Sequence, residues 1–332
     1  MLELQILAAN VLLPTLLLTL TLGGVLWVSR RSATRNTAAA ASASHSGRST
    51  FQTSRLGTSV LVVSGVIAIW LALVLRVEEA LAWWPEDAWT RLPIAIGMVG
   101  LGAIIAQWVP SRMKLVAWLL RATALWLATR SIIPAGDAWE FLQPSVPMWT
   151  LVLVLGPLLA WWLIERLPSR AAGVLGLSWI LCVAAAAFLS KDFLRVTEPM
   201  LAIASVLGCV SLGTLISGRS EWVATVAGPC LFGSGAAVAS FQFNSFLGLP
   251  DSLSWLAILA PAVAALATLG LPSQSQLMQG MESKSATEAS QLPRVSRHQL
   301  LLILGVCLSL ALVVIVWTLV ASGGGVGGEE AW

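Results

Sequence analysis

Apolar runs of bilayer-crossing length, separated by short polar stretches, repeat from one end of the chain to the other. Ten are visible, at residues 5–28, 58–76, 93–109, 114–133, 148–165, 171–190, 199–217, 222–243, 254–272 and 299–320. A helix of about 20 apolar residues spans the hydrocarbon core, because each residue advances about 1.5 Å. The pattern predicts an all-α fold: a polytopic integral membrane bundle of about ten transmembrane helices, with no soluble domain. The run at 93–109 is short, and glycines and a proline interrupt the run at 222–243.

The polar stretches set the organisation. Residues 1–28 read as a first, retained transmembrane helix, 29–57 as a flexible basic cytoplasmic loop, and 58–272 as a bundle of about eight helices. Residues 273–298 read as a second flexible cytoplasmic loop, 299–320 as the last transmembrane helix, and 321–332 as a disordered tail. No cleaved leader is expected: MLELQ has an acid and no Lys or Arg, and the Ala41-Ser42-Ala43 triplet lies well beyond the apolar run.

Composition agrees with a bilayer as solvent. Of 332 residues, 57% are hydrophobic and 11% charged, whereas soluble domains keep roughly a quarter charged. The net charge of +3 is too small to predict a nucleic-acid partner, but its distribution orients the chain. Thirteen Lys and Arg fall in one alternating set of loops: Arg30, Arg31, Arg35, Arg48, Arg55, Arg112, Lys114, Arg166, Arg170, Arg219, Lys284, Arg294 and Arg297. The opposite set has five: Arg76, Arg91, Arg130, Lys191 and Arg195. By the positive-inside rule the first set is cytoplasmic. Both termini are then outside, in a multi-pass protein of the cell membrane (the inner membrane where a cell has two). Tryptophans follow the same frame. Trp27, Trp108, Trp161, Trp162 and Trp222 fall at inner helix ends, and Trp70, Trp149, Trp255 and Trp317 near outer ends, as interfacial belts would.

One charge departs from this order. Arg121 lies inside the run 114–133, about 10 Å along the helix from Lys114. Lys114, Trp118 and Arg121 stand at i, i+4 and i+7 and share one helix face. Two readings follow: an anion site for a lipid phosphate or a small carboxylate or phosphate, or a buried ion pair. Glu165, at the same inner end one run later, is the expected partner. An intramembrane charge carries a functional hypothesis by default, but a long arginine can also snorkel to the interface.

The run 222–243 supplies a second candidate. Gly228, Pro229, Gly233 and Gly235 fall near mid-depth. Broken helices at the midplane bind substrate in many transporters, through freed backbone groups. The alternative is close helix packing, which glycine permits without any ligand. Gln242 and Asn244, at the outer end, either contact a ligand or cap the helix. A third candidate is the outer stretch 76–92, with Glu78, Glu79, Glu86, Asp87 and three tryptophans. It lacks calcium-loop spacing and reads as an amphipathic segment lying among headgroups. The matches WLALVLR…PEDAW and WLATR…AGDAW are short enough to recur among helix exits without a repeat.

Several chemistries lack their residues. The only histidines, His45 and His298, lie in loops, so no intramembrane His base or ligand is available. No Asp lies in a helix core, no nucleotide-binding glycine motif is present, and Cys182, Cys209, Cys230 and Cys307 form no metal-binding pattern. An enzyme is therefore the least supported class, and no cofactor or metal is expected. Two functions remain. One is a carrier or channel for a small solute, with its site between Arg121 and the interrupted run. The other is a non-catalytic membrane subunit that scaffolds a membrane or envelope protein or binds lipid.

Overall fold

A computed structural model of the chain describes residues 11–39, 47–74, 88–134, 137–191, 194–244, 249–269 and 297–323. These residues are all-helical, with ten α-helices and no strand among them. The helices are α1 (Leu13–Ala39), α2 (Gly47–Val74), α3 (Leu92–Trp108), α4 (Lys114–Ile132) and α5 (Val146–Glu165). They continue with α6 (Ser169–Leu189), α7 (Leu194–Ser217), α8 (Ser220–Asn244), α9 (Asp251–Leu266) and α10 (Arg297–Gly323). Seven are long and apolar enough to cross a membrane; the apolar parts of α1, α3 and α9 are shorter. Large apolar side chains such as Leu20, Leu115, Ile216, Leu301 and Val320 point outward. Such a surface belongs in lipid rather than water, and the chain is a helical membrane protein.

Local sequence sets the helix ends. α3 starts at the Leu92-Pro93 pair, with proline in the first turn, where its missing N–H costs nothing. It stops at Val109, which is extended because Pro110 follows. Ile133, before Pro134, ends α4 in the same way. Between α7 and α8, Gly218 takes φ +71°, and its N–H donates to the Thr214 carbonyl, closing the helix with a left-handed residue. Pro157, Pro199, Pro229 and Pro261 lie inside helices that continue through them, as membrane helices tolerate.

α8 is the centre of the bundle. It touches α2, α3, α4, α5, α6, α7 and α9, and nearly all its residues from Trp222 to Phe243 are buried. A helix apolar all round is a core helix, and its Gly, Ala and Ser side chains let neighbours approach. α1 lies outside against α2 and α7, and α10 outside against α6 and α9.

The structure differs from the sequence expectations in three places. The first basic loop is largely helical: α1 runs on to Ala39 and α2 begins at Gly47, so only 40–46 of the intervening stretch lie outside the described residues. No Gly or Pro occurs between Val25 and Ser46, and the stretch is rich in alanine, the best helix former. The run at 222–243 is a continuous helix rather than a broken one. Trp149, Trp161 and Trp222, expected in the belts, are buried in the core. Position along a helix reports depth, not the face a side chain takes. The acidic stretch at 76–87, the loop 273–296 and the tail 324–332 lie outside the described residues.

Candidate functional site

The end of α3, the start of α4 and the end of α5 meet around a cleft of about 500 Å³. Ala106, Val109 and Pro110 form one wall; Lys114, Ala117, Trp118 and Arg121 of α4 form another; Trp162, Glu165 and Arg166 of α5 close it. Helical spacing makes the convergence. Lys114, Trp118 and Arg121 share one face of α4, and Trp162 and Glu165 lie in the last turn of α5, which Arg166 caps.

Among the described residues Arg121 is the buried charge, only 8% exposed. Its Nη2 donates to Glu165 Oε1 at 2.6 Å. Its guanidinium carbon lies 4.5 Å from the ring centroid of Trp118 and 4.5 Å from that of Trp161. Two indole faces and one carboxylate thus stand in for the water that burial removes; the planar, weakly hydrated guanidinium suits this better than an ammonium would. One donor is left over, because Arg121 Nε is buried without an acceptor.

The cleft holds three cations, Lys114, Arg121 and Arg166, against one carboxylate. Glu165 is already engaged by Arg121. Among the described residues neither Lys114 nor Arg166 has a carboxylate partner, and Arg166 rests on the Trp162 ring at 4.6 Å. The local field is therefore positive. Sequence reading did not bring Trp161, Trp162 or Arg166 into the site. Their cue was the short pattern Trp161-Trp162…Glu165-Arg166 ending α5, which repeats the aromatic-plus-charge spacing of α4.

The glycines and proline of α8 do not line this cleft. A Cβ on Gly228 would strike the Trp161 ring, one on Gly233 would meet Ile96 and Ile203, and one on Gly235 would meet Ile258 and Leu153. Pro229 is buried in the same helix. Their space is filled by side chains, so here they serve close packing. Trp161 links the two candidate regions, lying against both Gly228 and Arg121.

At the opposite end, Gln242 joins α8 to α9. Its Nε2 donates to the Leu249 carbonyl at 2.7 Å and to Asp251 Oδ1 at 3.0 Å, and its Oε1 accepts from Ser254 at 3.1 Å. Asn244 donates to the Ser240 carbonyl at 2.8 Å. Both amides brace the helix end. No group of three or more His, Cys, Asp or Glu suited to a metal occurs among the described residues. Comparison with family models, with curated proteins and with solved structures returned no match, so the arrangement of residues around Arg121 is what speaks for function.

Proposed function

We propose that the chain is a non-catalytic, multi-pass membrane protein that binds an anion in the cleft between α3, α4 and α5. All ten helices cross the bilayer in this reading, with α1, α3 and α9 as short spans. Both termini lie outside, and the cleft opens at the cytoplasmic side. The distribution of Lys and Arg supports that orientation. The observation that carries the function is the charge imbalance: Lys114, Arg121 and Arg166 surround an open volume with Glu165 as the one acid. Glu165 answers the buried Arg121, and the exposed Lys114 and Arg166 leave a net positive field over the cleft mouth that attracts an anion.

A carrier for a small solute draws less support. The helix expected to open its path, α8, is enclosed by seven neighbours, and side chains fill the space before its glycines. The cleft lies at an edge of the bundle rather than through its middle.

Native mass spectrometry of the protein, extracted gently from its own membrane, tests the reading. The expected result is retention of a small anion or anionic lipid that the double variant Lys114→Gln/Arg166→Gln no longer holds. Both side chains are exposed, so the variant should fold. Recovery with a second protein at fixed ratio, unchanged by that variant and without an anion, would replace this reading with a protein scaffold.

A further inference from the structure

We propose that the anion is the headgroup phosphate of an anionic phospholipid from the adjoining leaflet, with an acyl chain held in a slot between α4 and α5. This rests on the anion-binding reading above and names the ligand class of the same cleft.

The slot has a volume of about 400 Å³ and is lined by Trp118, Leu155, Leu158, Leu159 and Trp162. Trp118 and Trp162 also line the charged cleft, so the two volumes adjoin. Leu155, Leu159 and Trp162 are exposed on the flank of the bundle. The slot therefore opens sideways, where acyl chains lie, and a lipid can enter without leaving the hydrocarbon.

The order of chemistry along α5 matches the order along a lipid. Leu155, Leu158 and Leu159 come first, then Trp162, then Glu165 and Arg166. From Leu155 to Glu165 the helix rises about 15 Å, near the hydrocarbon depth of one leaflet. Apolar chain, interfacial ring and charge thus succeed one another over the length of a single lipid. A free phosphate would use only the charged end and leave the slot without a purpose.

Charge selects the headgroup. The three cations and one carboxylate favour a net negative head. A zwitterionic head would bring its ammonium toward Lys114 and Arg166. The buried Nε of Arg121 is a further donor at this site without an acceptor.

The test uses the full chain, delipidated in detergent and titrated under native mass spectrometry. The probes are phosphatidylglycerol, phosphatidylcholine with the same chains, and glycerol 3-phosphate. Phosphatidylglycerol should bind at least about ten-fold tighter than phosphatidylcholine. Lys114→Gln/Arg166→Gln should weaken it about ten-fold, and so should Leu159→Trp, which fills the slot from an exposed position without a change in melting temperature. If glycerol 3-phosphate binds as tightly as the lipid and Leu159→Trp has no effect, the lipid assignment falls while the anion site stands. If no probe binds, or if both lipids bind equally and the charge variant changes nothing, the lipid assignment and the anion site fall together.

Discussion

The guanidinium of Arg121 stacks on the ring of Trp161, 4.5 Å from its centroid, and the same indole occupies the space in front of Gly228. Trp161 thereby packs the charged cleft at the edge onto the central helix. Gly228→Ala should cost about 1–3 kcal/mol, because the added methyl meets a fixed ring in a full core. In a Trp161→Leu background the same change should cost little. Denaturant unfolding in mixed micelles of the two singles and the double measures this; equal costs in both backgrounds would show that Trp161 is not the obstacle.

Glu165 is the carboxylate that answers Arg121, and it is partly exposed. Glu165→Gln should destabilise by about 2 kcal/mol, below the figure for a fully buried pair because water reaches the carboxylate. Arg121→Met with Glu165→Leu should recover most of that loss, since removing both charges leaves none buried alone. A double variant worse than either single would refute the pairing as the main role of Glu165.

Helix contacts that depend on glycine can be told from those that do not. A Cβ on Gly102 of α3 would lie 2.5 Å from the Ala124 Cβ of α4, whereas one on Gly305 of α10 would meet nothing within 4 Å. Gly102→Val should therefore cost about 2 kcal/mol by forcing α3 and α4 apart. Gly305→Ala should raise stability by about 0.5 kcal/mol through helix propensity. Melting temperatures in one detergent compare the two directly.

Gln242 holds three hydrogen bonds across the α8–α9 junction. Gln242→Leu should cost about 2 kcal/mol, and Ser254→Ala about 1 kcal/mol because one bond is lost. Neither change should alter binding in the cleft at the other end of α8. A loss of anion retention in Gln242→Leu at unchanged melting temperature would contradict that separation.

Orientation has its own test. Cys182, Cys230 and Cys307 are buried and Cys209 is partly so, which keeps background labelling low. In intact cells a membrane-impermeant maleimide should label Ser145→Cys and spare Ser44→Cys. Ser44 lies outside the described residues and Ser145 at the start of α5. The reverse pattern would invert the proposed topology and move the cleft to the outer face.

Much of this protein is written locally. Apolar runs mark helices because a bilayer leaves backbone groups no partner but their own helix. Prolines at 110, 134, 168 and 250 mark where helices stop or start, because proline restricts the residue before it and lacks a donor. Arg121 stands out as a charge within an apolar run, and the start of α4 and the end of α5 lie at one depth by simple counting. The alanine-rich stretch after Arg35 shows the limit of such reading: it looked like a loop for want of apolar periodicity, yet its propensity is helical.

Which face each helix buries was decided only in three dimensions. A helix that is apolar on every side carries no stripe to say where it packs. The sequence could therefore mark Gly228, Pro229, Gly233 and Gly235 as unusual without telling an opening from a close contact. It could set Trp161 and Trp162 at one depth without showing that the first turns into the core beneath Arg121 while the second faces the cleft. Those directions follow from which neighbour fills which gap, a property of the assembled bundle, and they turn one arginine and three scattered charges into a site.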